Sequence, residues 1–115
     1  MNLEPSGDTQ STVLVVEDDR VLNRLLIHQL AKAGHAVGSA LTWAGARQRL
    51  PTLKPDLVLL DIKLPDASDF QPLTELAARM PVVMLTAYGN VTQAVEAMRL
   101  GAADYLVKPV DLDEL

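Results

Sequence analysis

The sequence predicts an α/β domain in which five parallel strands form a sheet covered by helices on both faces. Short, wholly apolar runs, such as residues 13–16 and 57–60, alternate with stretches whose apolar residues recur at helical spacing. Strands that are apolar at every position are buried on both faces, and strand–helix alternation is typical of parallel sheets. The 115 residues suit one domain, and only 3% are aromatic, so we expect an aliphatic core.

The first half of the chain supplies two strand–helix pairs. A strand at residues 13–16 is followed by a helix whose leucines recur at helical spacing and which Gly34 ends. A weaker strand at 36–41 precedes a short helix, which Thr42 caps and Pro51 stops at about residue 50.

The second half of the chain continues the same alternation. Proline is tolerated in the first turn of a helix, so a helix can begin at residue 72. The predicted elements, in chain order, are a strand at 57–60, a helix at 72–79, a strand at 82–85, a helix at about 90–100 and a strand at 105–107.

Both ends of the chain carry further signals. Residues 1–11 are polar and are expected to form a loose N-terminal leader before a domain at 12–115. Asp111 and Glu114 form a helix-start signal just before Leu115, so the final helix is expected to be truncated. A sheet edge left bare by that truncation favours low stability or a homodimer.

Charge and composition exclude several classes of protein. The net charge of −5 argues against direct nucleic-acid contact, which requires clustered lysine and arginine. The absence of cysteine excludes disulfides and thiolate metal sites. The apolar runs are too short to span a membrane, and the first residues lack the order of a signal peptide, so a cytoplasmic location is expected.

Polar side chains directly follow the apolar runs of the predicted strands. Ligand sites of open parallel sheets lie at the carboxyl ends of the strands. Five groups are therefore expected to meet there: Glu17, Asp18, Asp61, Thr86 and Lys108. Two like charges at ~4 Å repel by about 4 kcal/mol at an effective dielectric of 20, so the carboxylates need a cation. Oxygen ligands favour Mg²⁺, and Lys108 supplies a second positive charge.

Such a cluster suits the binding of a phosphoryl group, whose oxygens need a metal, an ammonium and a hydroxyl. Asp61 would act as the nucleophile and form an acyl phosphate. Each residue has a commoner structural role when taken singly. An acid after a strand is usually a helix cap, a threonine a turn residue and a lysine a solvated charge. Their coincidence at the strand ends favours the functional interpretation.

These residues resemble the response regulator receiver family of two-component systems over residues 12–115. The resemblance rests on Val-Val-Glu-Asp-Asp at 15–19, Leu-Leu-Asp-Ile-Lys-Leu-Pro at 59–65, Leu-Thr-Ala at 85–87 and Asp-Tyr-Leu-Val-Lys-Pro at 104–109. It implies a flavodoxin-like, doubly wound sandwich with the strand order 2-1-3-4-5.

The resemblance also implies the phosphoacceptor and the metal ligands. Asp61 looks like the residue that takes the phosphoryl group from a histidine kinase. Glu17 and Asp18 look like the acidic pair that holds Mg²⁺ together with Asp61. The backbone carbonyl of Lys63 looks like a further metal ligand.

Three further positions match the residues that sense the phosphoryl group. Lys108 looks like the cation that contacts it. Thr86 looks like the hydroxyl that moves toward a phosphoryl oxygen, and Tyr105 like the aromatic residue that turns inward when Thr86 moves. The predicted fourth helix, the fifth strand and the truncated final helix would form the output face.

Residues 86–115 are most similar to receivers of sigma-54-dependent transcriptional activators of the nitrogen-regulation type. In those proteins an ATPase domain and a DNA-binding domain follow the receiver, so these output domains and a histidine kinase are the implied partners. The resemblance implies that the chain does not turn over an external substrate, because a receiver catalyses only its own aspartyl phosphorylation and dephosphorylation.

Two positions depart from the family pattern. Asp69 stands where the family often has glycine, and Asp66 lies in the same loop. Extra negative charge and a Cβ at that turn are expected to alter the loop backbone or the metal affinity. Glu17 stands where many members have aspartate, and its longer side chain is still expected to reach the metal through water.

Three other classes compete with this interpretation. A phosphatase of the dehalogenase type would need a second aspartate two residues after the first, where this chain has Lys63. A nucleotide-binding module would need a glycine-rich loop after the first strand, but residues 17–20 are Glu-Asp-Asp-Arg. A pseudo-receiver that only binds partners would not need the intact acidic set with Lys108.

Overall fold

A computed structural model of the chain describes residues 11–86 and 90–108. Strands and helices alternate strictly in this part: β1 Thr12–Val16, α1 Arg20–Lys32, β2 Ala36–Ala40, α2 Trp43–Leu53, β3 Leu57–Asp61, α3 Gln71–Leu76, β4 Val82–Thr86, α4 Val91–Arg99 and β5 Asp104–Val107. The predicted leader, apart from Ser11, and the predicted final helix lie outside the described residues. Among the described helices, not one combines the length and the apolar character that a bilayer crossing requires.

The five strands form one parallel sheet in the order β2-β1-β3-β4-β5, which confirms the predicted fold and strand order. Val16 lies opposite both Ala40 and Leu60, and the carboxyl ends of β1 and β3 are therefore level. Asp61 lies opposite Leu85, so Thr86 is one residue further along β4. This register brings the residues that follow β1, β3, β4 and β5 to the same edge.

The sheet separates two apolar clusters. Leu14 and Leu60 face the larger one, which the helices α2, α3 and α4 complete. Val15 and Leu59, the next residues on the same strands, face the smaller one, which α1 completes with Leu26 and other residues. Successive side chains of a strand point to opposite faces, so strands covered on both faces must be apolar throughout.

Two helix ends differ from the prediction. The expected stop of α2 at Pro51 was wrong, because the helix continues to Leu53. Proline in the last turn forfeits only one backbone hydrogen bond, and Lys54 then ends the helix in a left-handed conformation at φ 50°. The third helix was predicted to reach residue 79, but α3 ends at Leu76, whose carbonyl accepts the N–H groups of Arg79 and Met80 in a turn.

Candidate functional site

Three carboxylates meet at the carboxyl edge of the sheet. Glu17, Asp18 and Asp61 each place one carboxylate oxygen within 4.8 Å of the other two. Glu17 directly follows β1 and Asp61 ends β3, so the pairing of these two strands brings the acids together. Glu17 is 0% exposed and Asp61 is 3% exposed, whereas Asp18 is open to solvent.

Lys108 balances the two buried acids. Its Nζ lies 2.7 Å from Oε1 of Glu17 and 3.2 Å from Oδ2 of Asp61. Its backbone N–H donates to the carbonyl of Thr86 at 2.8 Å, which continues the ladder between β4 and β5 past the end of β5. A single ammonium therefore serves two carboxylates that would otherwise be buried next to each other without compensation.

Backbone and side-chain donors fix both acids in place. The N–H of Asp19 donates to Oε2 of Glu17 at 2.9 Å, and the N–H of Lys63 donates to Oδ1 of Asp61 at 3.1 Å. The buried Asn23 donates to the carbonyl oxygen of Glu17 at 2.9 Å. Sequence reasoning missed Asn23, although a polar residue one position after Leu22 in an amphipathic helix was a signal that could have been followed.

Burial makes Glu17 a weaker acid than an ordinary glutamate. Desolvation raises the pKa of Glu17 from 4.5 to about 7, and the adjacent carboxylate of Asp61 adds to the increase, against the hydrogen bonds from Lys108 and Asp19. Burial alone would lower the pKa of Lys108, but the hydrogen bond to Glu17 and the charge of Asp61 raise it above its ordinary value. Lys108 is thus kept protonated by the acids it neutralises.

The two predicted switch residues differ in exposure. Thr86 is buried at the end of β4, and its hydroxyl donates to the carbonyl of Leu106 at 3.4 Å. Tyr105 lies on β5, opposite Met84, and is 38% exposed. Thr86 therefore lies at the edge between the strand of Asp61 and the strand that leads to Lys108.

The loop after Asp61 contains Asp69, which departs from the family pattern, and the nearby Asp66. Asp69 binds the ammonium of Lys63 at 2.9 Å; the Lys63 side chain is exposed and that of Asp69 is partly exposed. Asp66 accepts the backbone N–H groups of Trp43 and Ala44 at 2.8 and 2.9 Å. The hydrogen bond from Ala44, followed by that from Trp43, lowers the pKa of Asp66. Neither set of partners was predicted from the sequence.

The donor set fits a hard divalent cation. Three carboxylates and one ammonium carry a net negative charge when ionised, and all the candidate ligand atoms are oxygens. Among the described residues, the buried Oε1 of Glu17 has only the Lys108 ion pair and no further hydrogen-bond partner. An additional cation would therefore find an acceptor that the protein leaves incompletely paired.

Comparison with known proteins gives a consistent result. The sequence matches the response regulator receiver domain over residues 13–115. Regulatory protein AtoC of Escherichia coli (strain K12) is 39% identical over 106 residues, which cover 90% of this chain and 23% of AtoC. Transcriptional regulatory protein ZraR of Klebsiella oxytoca is 37% identical over 113 residues, which cover 96% of this chain and 25% of ZraR.

A solved structure agrees with these relatives. The receiver domain of NtrX from Brucella abortus superposes with a TM-score of 0.83 at 33% identity, and the match covers 89% of each chain. The chain spans about a quarter of the length of the curated relatives AtoC and ZraR. Since the family match runs from β1 past β5, the chain belongs to the response regulator receiver family of two-component systems.

Proposed function

We propose that Asp61 accepts a phosphoryl group from a phosphohistidine of a histidine kinase, and that this modification switches the domain between two conformations. One observation carries the proposal: Asp61 is buried at the edge of the sheet within reach of Glu17, Asp18 and Lys108. A carboxylate buried with other carboxylates costs free energy, and such an arrangement is typical of a functional site.

Asp61 acts as the nucleophile in this mechanism. One carboxylate oxygen attacks phosphorus in line, and an O–P bond forms while the P–N bond to the donor imidazole breaks with its electron pair going to nitrogen. The N–H of Lys63 holds Oδ1 of Asp61, and Lys108 Nζ is placed to pair with the negative charge of the transferred group.

Mg²⁺ is the proposed cofactor, and the clustered carboxylates of Glu17, Asp18 and Asp61 would hold it. The backbone carbonyl of Lys63 is the proposed further ligand. When bound, the ion supplies positive charge toward the phosphoryl oxygens. Glu17 and Asp18 contribute by keeping the site negative enough to attract a divalent cation.

Thr86 and Tyr105 are the proposed switch. The hydroxyl of Thr86 exchanges its 3.4 Å contact with Leu106 for a phosphoryl oxygen, and Tyr105 turns inward from its half-exposed position. A shift from 1:99 to 99:1 needs about 5.5 kcal/mol of differential binding, which a new charged group with several hydrogen bonds can supply. The exposed apolar side chains of Val91, Val95 and Met98 on α4 belong to the proposed output face.

The remaining proposals concern the protein around this domain. We place the domain at residues 12–115, after a leader at 1–11, in a cytoplasmic regulator whose output is transcriptional, as the name of ZraR supports. The proposed output domains are an ATPase and a DNA-binding domain of the sigma-54 activator type, and a homodimer remains a prediction. The domain itself is proposed to make no nucleic-acid contact, because its net charge is −5. It would phosphorylate and dephosphorylate only itself.

Acetyl phosphate labelling of the whole chain with Mg²⁺ tests the assignment of Asp61. We expect wild type to gain one phosphoryl group by intact mass spectrometry, and hydroxylamine to remove it as it cleaves acyl phosphates. Asp61→Asn should abolish the gain. Asp56→Asn is the matched control, because Asp56 lies just before the same strand and is exposed. Unchanged labelling of Asp61→Asn would refute the assignment.

A further inference from the structure

The loop between β3 and α3 (residues 62–70) is anchored at its beginning by packing. Ile62 is 2% exposed and Leu64 is 7% exposed, and both belong to the larger apolar cluster. Lys63 lies between them, and its backbone N–H is held by Asp61. The residue whose carbonyl is the proposed metal ligand thus sits where the loop leaves the core.

Asp66 anchors the loop at a second point, by binding the N-terminus of the helix α2. Its Oδ1 accepts the N–H of Trp43 at 2.8 Å and its Oδ2 accepts the N–H of Ala44 at 2.9 Å, so both oxygens bind the first turn of α2. Thr42 caps the same turn through its own Oγ1, which accepts the N–H of Gly45 at 3.0 Å. The first three N–H groups of α2 are therefore satisfied, and a distant loop supplies two of the three bonds.

The bonds from α2 to Asp66 favour an ionised carboxylate. A negative charge at a helix N-terminus interacts favourably with the helix dipole, and charge-assisted hydrogen bonds are stronger than neutral ones. The same bonds lower the pKa of Asp66. The helix is a firm support, because Trp43, Ala46 and Leu50 are buried in the larger apolar cluster.

The backbone at Lys63 consequently lies between two points at which the loop is hydrogen-bonded to the rest of the domain. On one side its N–H is bound to Asp61, and three residues later the chain is bound to α2 through Asp66. Its side chain is also held, since Nζ binds both oxygens of Asp69 at 3.2 and 2.9 Å. The loop segment that carries the proposed carbonyl ligand is thus bound through its backbone on one side and through Asp66 on the other.

We propose that Asp66 is a positioning residue for the metal site: by tying the loop to the N-terminus of α2, it holds the Lys63 carbonyl where Mg²⁺ can bind it. This inference rests on the proposed function, because it assumes that Mg²⁺ binds beside Asp61. Groups that orient metal ligands from outside the coordination shell typically change metal affinity by about 10–100-fold when they are removed.

Calorimetric titration of the whole chain with Mg²⁺ tests this role. Asp66→Ala removes both hydrogen bonds and should weaken Mg²⁺ binding by about tenfold. Asp66→Asn keeps one oxygen that can accept an N–H and should give a smaller loss. Glu75→Ala is the matched control, because it removes the 2.8 Å contact of Arg47 with Glu75, which joins α2 to α3, without touching the loop. It should bind Mg²⁺ like wild type.

Thermal unfolding without Mg²⁺ separates positioning from a purely structural cap. A cap alone would lower the unfolding temperature of Asp66→Ala but leave the Mg²⁺ affinity of the folded chain unchanged, and that result would overturn the inference. If Asp66→Ala does not fold, Asp66→Asn decides by the same comparison. Loss of Mg²⁺ affinity in Glu75→Ala equal to that in Asp66→Ala would also overturn the inference. A wild-type chain that binds no Mg²⁺ would remove the proposed metal site and this inference together, whereas the labelling of Asp61 is a separate readout.

Discussion

Strand β3 has an aspartate at each end, and the two lie in opposite surroundings. Asp56, just before the strand, is exposed, and its Oδ2 accepts the N–H of Thr12 at 2.8 Å. Asp61, at the other end, is buried and shares the ammonium of Lys108 with Glu17. An acid at a strand end is thus not informative by itself. Burial of an acid beside a second acid is informative, because it costs free energy and a purely structural role does not need it.

The largest expected effect at the buried end is a dependence of stability on pH that comes from Glu17. The pKa of Glu17 in the folded chain, about 7, lies above its ordinary value of 4.5. Between these two pH values the folded chain therefore keeps a proton on Glu17 that the unfolded chain has released. The stability contributed by Glu17 is complete below about pH 4.5 and is lost as the pH rises through about 7. Without Mg²⁺, the free energy of unfolding should fall by up to about 3 kcal/mol over this range.

Urea unfolding at a series of pH values, in chelator, measures this dependence. The variant Glu17→Gln has no proton to release at this position, so its free energy of unfolding should vary much less between about pH 4.5 and 7. An equal slope in Glu17→Gln and wild type would mean that Glu17 is not the source of the pH dependence.

The next effect concerns the cation at the same end. Lys108→Met leaves Glu17 and Asp61 without their ammonium and should destabilise the chain by about 2 kcal/mol at pH 8. The value lies below that of a fully buried pair because the Lys108 side chain is 30% exposed and Glu17 can take up a proton instead. The change in the urea midpoint at constant m-value measures it.

An exposed ion pair provides the control for Lys108. Glu96→Gln removes the negative charge from the 2.9 Å ion pair with Arg99 on α4, and exposed pairs of this kind contribute about 0–1 kcal/mol. Similar losses in Glu96→Gln and Lys108→Met would contradict the distinction between the buried cluster and the rest of the charged surface.

Most of the cluster at the carboxyl end of β3 could be predicted from the sequence, because its position depends only on the strand order and on which residues follow each strand. Apolar runs identified the strands, and a parallel sheet brings the residues after them to the same edge, which led to Glu17, Asp61 and Thr86 without any knowledge of side-chain packing. The extent of burial could not be predicted. Nothing in the sequence distinguishes the fully buried Glu17 from the exposed Asp18 next to it.

The features that were missed depend on contacts between distant segments. Asp66 binds the N–H groups of Trp43 and Ala44, which lie more than twenty residues away in the sequence, and this pairing follows from how α2 packs on the sheet. The ends of α2 and α3 were predicted less well for a similar reason. A helix end is a balance of small local terms, so packing of Leu53 against the larger apolar cluster can extend α2 past Pro51.

The smallest expected effect tests the exposed end of β3. Asp56→Asn retains an oxygen that can accept the N–H of Thr12, and the group it replaces is in contact with solvent. Its free energy of unfolding should differ from that of wild type by less than about 0.5 kcal/mol, as is usual for surface substitutions. Urea unfolding at pH 8 gives the comparison with Lys108→Met under the same conditions. A loss as large as that of Lys108→Met would mean that both ends of the strand are equally sensitive to charge, and burial of Asp61 would no longer support the proposed functional site at that end.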